Sequence, residues 1–228
     1  AASGLANQCR PRPRGGEPSR ITIRTPGKYA VPAHAGVSPT GPTERGSPVG
    51  TIPTVTAVTA GSVATAAQFN AIKAAIDFWA LTPRCYAYGS ATQSLTTATY
   101  TMLALGAEVF DIVQSGDTAM HDNATDNSRI TIRTPGKYAL TGQISYASNA
   151  TGVRKCLIVK NGTTVLAEAD IPAIAGGITS VVGAGPVIVP LAAGDYVELQ
   201  AYQSSGGALA TDVSFVGSTW LQVVLDSA

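Results

Sequence analysis

From Cys85 to the end of the chain, short runs of alternating apolar residues follow one another with turn residues between them, and this pattern constrains the fold most tightly. In KYALTGQISYA (137–147), Tyr138, Leu140, Ile144 and Tyr146 fall on one face and Thr141, Gln143 and Ser145 on the other, the alternation of a half-buried strand. Further strands are expected at 100–106, 129–132, 153–162, 163–171, 186–191, 196–202 and 213–225. Asn161-Gly162 sits between two of these runs, and a two-residue hairpin of that composition needs positive φ twice. Strands this short with turns this close predict an all-β antiparallel sandwich or jelly roll over residues 84–228.

The residues before the strands differ in kind. ATAAQFNAIKAAIDFWA opens with a capping box, Thr65 with Gln68, and then places Phe69, Ile72, Ile76 and Trp79 at spacings of three, four and three. This predicts one amphipathic helix of about four turns within a linker of residues 59–83, ended by Pro83. Its narrow, heptad-like stripe suits a seam between helices as well as packing on a sheet. Residues 1–58 read as an extended arm, because nine of the fourteen prolines fall in residues 1–53.

Charge divides along the same line. Residues 1–50 hold seven basic and two acidic side chains, a net +5, so the remainder carries −4 of the total +1. With one aromatic, Tyr29, the arm has little for base stacking, and nucleic acid is not the expected partner. No apolar run approaches the ~18 residues needed to span a bilayer. The start at Ala1, with no secretory hydrophobic region before the body, fits a cytoplasmic product, and the sequons at Asn123, Asn149 and Asn161 are expected to stay bare. Cys9, Cys85 and Cys156 form no CxxC pair, so neither a disulfide framework nor a zinc site is expected; Cys156 reads as a small core residue.

No catalytic constellation can be assembled. His34 and His121 are the only histidines, and GxSxG, HExxH, P-loop and GxGxxG patterns are absent, so the chain reads as no enzyme, with no cofactor. The loop 117–127 gathers Asp117, His121, Asp122 and Asp126; the three aspartates are weak candidates for Ca²⁺, but their spacing misses the EF-hand positions and a solvated turn is the better reading. Arg154 and Lys155 read as edge charges, Asp195 as a turn former, and Tyr196, Tyr202 and Trp220 as core or interface aromatics.

Several blocks carry a resemblance. Gly136 to Tyr146, with Tyr138 and Gly142, resembles a signature strand of the jelly-roll superfamily that includes the complement first-component globular head and tumour necrosis factor. Asn161-Gly162, the LAAGDYVEL block with Gly194 and Asp195, and Phe215-Val216-Gly217 follow in that superfamily's order. The upstream Thr59–Trp79 segment resembles small fibre, spike and minor structural proteins of tailed bacteriophages. The resemblance implies a homotrimer located in the virion, assembled in the bacterial cytoplasm and held to other virion proteins by its arm. Its head would bind a host-surface glycan or protein, or decorate the capsid shell; a secreted complement-head-like binding module and a glycan depolymerase are the readings from other classes.

One feature stands outside this scheme. SRITIRTPGKYA occurs identically at Ser19–Ala30 and Ser128–Ala139. The second copy leads into the signature strand, whereas Pro32 and Pro39 keep the first from continuing as a central strand. Either the first copy is a recent duplication lying along a partner surface through Arg20, Arg24 and Lys28, or it adds as an edge strand to a neighbouring sheet.

Overall fold

The computed structural model describes residues 52–57, 59–176 and 178–227. Arg20, Arg24, Lys28 and the rest of the arm before Ile52 lie outside them; of the arm's last residues, Ile52 packs against the core. Helix α1 spans Ala66–Ala80. Its capping box is formed: the Gln68 amide donates to Thr65 Oγ1 at 3.3 Å and the Thr65 amide to Gln68 Oε1 at 2.8 Å.

Among the described residues twelve strands follow: β1 Arg84–Tyr88, β2 Ser94–Leu95, β3 Thr101–Met102, β4 Ala107–Ile112, β5 Arg129–Thr131, β6 Gly136–Tyr146, β7 Val153–Lys160, β8 Thr164–Pro172, β9 Ser180–Leu191, β10 Tyr196–Gln203, β11 Leu209–Ala210 and β12 Trp220–Ser227. One sheet runs β4-β1-β12-β6-β9, the other β3-β10-β7-β8 with β5 also on β10, and every pairing is antiparallel. Strands β2 and β11 pair with each other in a third, two-stranded sheet, and the chain crosses between the two large sheets at every step from β3 to β7, again from β8 to β9 and from β9 to β10, and between β10 and β12. That order is an antiparallel jelly-roll sandwich, the fold expected from the strand pattern.

The core lies between the inner faces. Tyr138, Leu140, Ile144 and Tyr146 of β6 are all fully buried, facing Cys156 and Ile158 of β7 and Val197 and Leu199 of β10. Each buried Leu or Ile contributes about 1.5–3 kcal/mol. Both tyrosines satisfy their polar ends: the Tyr138 hydroxyl donates to the Thr134 carbonyl at 2.6 Å, and the Tyr146 hydroxyl donates to the carbonyl of Lys155, clamping β6 to the opposite sheet. At the β7–β8 hairpin, Asn161 and Gly162 take φ of 51° and 73°, and the Thr163 amide donates to the Lys160 carbonyl at 3.2 Å, closing the expected turn.

Four expectations need correction. Within 213–225 the strand starts only at Trp220; residues before it form a loop in which the Asp212 carboxylate accepts from the Ser214 amide and the Ser218 amide turns back to the Phe215 carbonyl, so Phe215 and Gly217 lie outside any strand. Strand β9 begins six residues before Pro186, and β1, β2, β4 and β11 add to the expected set. In 100–106 only Thr101–Met102 pair, although Leu103 and Leu105 still reach the core. Arg154 is no edge charge: β7 is flanked by β10 and β8, and its side chain is wholly buried.

Among the described residues Arg154 has no acidic partner. Its guanidinium donates to the carbonyls of Asn149, Thr151 and Val153 at 2.9–3.1 Å and to Asn149 Oδ1 at 3.3 Å, closing the corner of residues 149–153 with neutral acceptors alone.

Candidate functional site

The described residues hold no set of three His, Cys, Asp or Glu side chains placed to bind a metal ion. Asp117, Asp122 and Asp126 each have a separate local role: Asp117 accepts from the Thr134 hydroxyl, Asp122 from the amides of Ala124 and Thr125, and Asp126 pairs with Arg129. His121 is engaged as well. Its Nδ1 lies 2.9 Å from Glu108 Oε1 and its Nε2 3.2 Å from the Asn127 carbonyl, so the ring ties β4 to the loop. Asp111 accepts from the His121 amide at 3.0 Å, and burial pushes its carboxyl upward. Cys85 and Cys156 are buried free thiols; burial pushes the first well up, with Asp111 and Glu108 adding to it, and the second up to about 12, so neither presents a thiolate.

The unsatisfied surface is apolar. On α1, the stripe of Phe69, Ile72, Ile76 and Trp79 is 63%, 40%, 62% and 53% exposed, whereas Phe78, off the stripe, is the residue that enters the core. The helix end is fixed by Gln114 Nε2, which donates to the carbonyls of Phe78 and Leu81 at 3.1 and 2.6 Å. A helix pinned by one face thus leaves its heptad-like face without cover in the single chain. Among the described residues no sheet closes over it, which removes sheet packing as an account of the stripe.

A second apolar surface lies on the outer face of the β4-β1-β12-β6-β9 sheet. Cys85 and Ala87 point inward from β1, so Tyr86 points out, where it stacks on Trp220 with ring centroids 5.1 Å apart and lies 6.0 Å from Phe110. Gly217 sits against both the Tyr86 hydroxyl and the Phe215 ring, which extends the row to an aromatic that is 63% exposed. Sequence reading missed Tyr86 and Phe110; the alternation in RCYAY was the available signal. The other sheet's outer face mixes charges with aromatics: Lys155 pairs with Glu168, Arg129 lies over the Tyr196 ring at 4.4 Å, and the Tyr100 and Tyr202 rings lie with centroids 4.8 Å apart.

The signature residues Asn161, Gly162, Gly194 and Asp195 meet at one corner, where they shape turns. Asp195 accepts from Lys160 Nζ at 2.7 Å, from Asn161 Nδ2 at 2.9 Å and from the Ala192 amide at 2.8 Å. Burial raises its carboxyl, but those three donors together outweigh burial and hold it below the usual range. The stability it adds is therefore complete above its unfolded value, about pH 4, and is lost as pH falls through the lower folded value. Urea titrations from about pH 6 to pH 2 should show the wild-type chain losing its advantage over Asp195→Asn progressively in acid. A gap that stays constant across that window would remove the ionised carboxylate as its cause.

The chain matches no family model and no curated protein. Among solved structures it is similar to an Eiger tumour necrosis factor from S. frugiperda, at 10% identity over 64% of this chain and 94% of that one with a TM-score of 0.47. It is similar also to murine APRIL, at 13% identity over 63% and 98% with a TM-score of 0.47, and to the globular domain of a zebrafish complement 1qA protein, at 13% over 63% and 97% with a TM-score of 0.42. The class of protein is an antiparallel jelly-roll head with a helical lead-in, and that assignment rests on the strand order given above.

Proposed function

We propose that this chain is a non-enzymatic structural head that assembles as a homotrimer through the α1 stripe and the aromatic sheet face, and that stands on a bacteriophage particle as a fibre or spike anchored by residues 1–58. The observation that carries the assembly is the exposed Phe69, Ile72, Ile76 and Trp79 stripe on a helix whose other side is already fixed by Phe78 and Gln114. Stripes at that spacing complement copies of themselves. The particle reading is supported by the upstream likeness to phage fibre and spike proteins and by the basic, proline-rich arm. A fibre at the tail tip would present its head to a host-surface glycan or protein, and a shell decoration would leave it facing solvent.

Light scattering on the purified full-length chain tests the assembly: a mass near three times the 23.2 kDa of one chain is expected, and a monomer at all accessible concentrations overturns it. Quantitative mass spectrometry of purified particles tests location. A few copies per particle fit the tail tip, hundreds fit the shell, and absence from particles ends the virion reading.

A further inference from the structure

The place occupied by the second copy of the repeated dodecapeptide is specific at almost every residue. Ile130 and Ile132 are fully buried; Arg129, Ile130 and Thr131 pair with Glu198, Val197 and Tyr196 of β10. The Ile132 amide donates to the Asp195 carbonyl at 2.8 Å, and the Gly194 amide to the Ile132 carbonyl at 2.9 Å. Side chains add their own demands. Ser128 Oγ donates to Glu198 at 2.8 Å, Arg133 gives two N–H groups to the Ala119 carbonyl at 2.7 and 2.9 Å, and Arg129 covers the Tyr196 ring. Few heptapeptides would satisfy this set, yet Ser19–Thr25 repeats Ser128–Thr134 without a change.

The same place is joined to the sheet by a short ladder. Strand β5 is three residues long; its one ladder is with β10, and its other side is held by the His121–Ile130 bridge, with the Thr131 amide donating to the Met120 carbonyl at 2.7 Å. The rest of the second copy, Gly136–Ala139, is held separately in β6 between β12 and β9, with Pro135 at the joint. Exchange of so short a segment requires local opening alone, which costs less than unfolding the whole head.

We propose that Ser19–Thr25 of one chain takes the β5 place on the head of a neighbouring copy, displacing Ser128–Thr134 and linking chains by strand exchange. The two segments are identical, so every hydrogen bond and buried side chain of the displaced one has its equivalent in the incoming one, and occupancy is set by local concentration rather than by affinity. Self-association through α1, on which this inference rests, gathers the arms of several copies and raises that concentration. Reach is no obstacle: about 40 residues separate Thr25 from Ala66, which extend to at most about 140 Å, against roughly 37 Å for the length of β6. Anchoring to a particle requires only that the arm bind something; exchange specifies where residues 19–25 bind.

The test is a mixed disulfide trap in a Cys9→Ser background. One chain carries Thr22→Cys and the other Tyr196→Cys, since Thr22 corresponds to Thr131, the register partner of Tyr196. A Thr131→Cys, Tyr196→Cys chain serves as control that the pair closes in a folded head. Mixed full-length chains under mild oxidation are expected to give a disulfide-linked heterodimer, lost when Ile21→Asp and Ile23→Asp are added to the arm. No heterodimer while the control closes overturns the proposal, as does a doubly substituted Thr22→Cys, Tyr196→Cys chain that closes only on itself. Light scattering on the same samples separates this outcome from a failure of self-association, because a trimer without cross-links refutes exchange alone.

Discussion

A full-length chain carrying Ile72→Asp and Ile76→Asp together is expected to run as a monomer at concentrations where the wild-type chain assembles, with the head still folded by circular dichroism. Both residues are exposed in the single chain, and the helix is fixed instead by Phe78 at 1% exposure and by the Gln114 side chain. The substitution therefore removes no intrachain core packing. In a three-helix seam each isoleucine buries a side chain worth about 1.5–3 kcal/mol, and a carboxylate there adds a desolvation cost. Two such losses per chain raise the dissociation constant by at least about a hundredfold. Lys73→Ala, which lies off the stripe in an exposed pair with Asp77, should leave assembly intact. If the double variant keeps the wild-type mass, the helix is not the seam, and the aromatic face around Tyr86 and Trp220 becomes the surface to disrupt.

Gly152→Ala is expected to be the most damaging single methyl group in the head. Gly152 has φ of 80°, a conformation unfavourable for alanine, and a Cβ built there lies 2.0 Å from the Ser204 carbonyl oxygen and 2.5 Å from its carbon. Backbone has to move to relieve that, and the surrounding backbone is committed: the Gly152 carbonyl accepts from the Ala173 amide at 2.8 Å, and the Ser204 amide donates to the Val153 carbonyl at 3.1 Å. Strain and broken hydrogen bonds together should amount to about 3 kcal/mol, a drop of roughly 6–12 °C in Tm for a domain of this size. Gly206→Ala is the matched comparison, because Gly206 has φ of 86° with nothing within 4 Å of the added carbon. Equal losses at the two sites would show that φ alone, and not the collision with Ser204, sets the cost.

What could be read in the sequence follows from which interactions are local. Strand β6 was legible because alternation reports directly on which side chains face the core, and the α1 start because a capping box lies within four residues. The Asn161-Gly162 turn was legible for the same reason. Strand β1 was not, because its inward residues, Cys85 and Ala87, are small, so its alternation is weak on any hydropathy scale. Phe78 lies off the helical stripe, and only the partner surface reveals that it, rather than the stripe, is the helix's anchor. Of the surfaces now in view, the α1 stripe was visible as a spacing, whereas the aromatic row was not, since Phe110, Tyr86 and Trp220 come from three strands distant in sequence.

The buried guanidinium of Arg154 has a consequence for tolerance to solution conditions. Burial pushes its acidity up, but an arginine starts so far above neutrality that it keeps its proton. Its partners are peptide carbonyls and an amide oxygen, none of which takes up a proton in mild acid. The Lys160–Asp195 pair loosens when its carboxylate is neutralised, and salt screens both it and the Lys155–Glu168 pair. The corner at residues 149–153 has no such release, and it should stay shut in acidic or saline surroundings that relax the head's ionic fastenings.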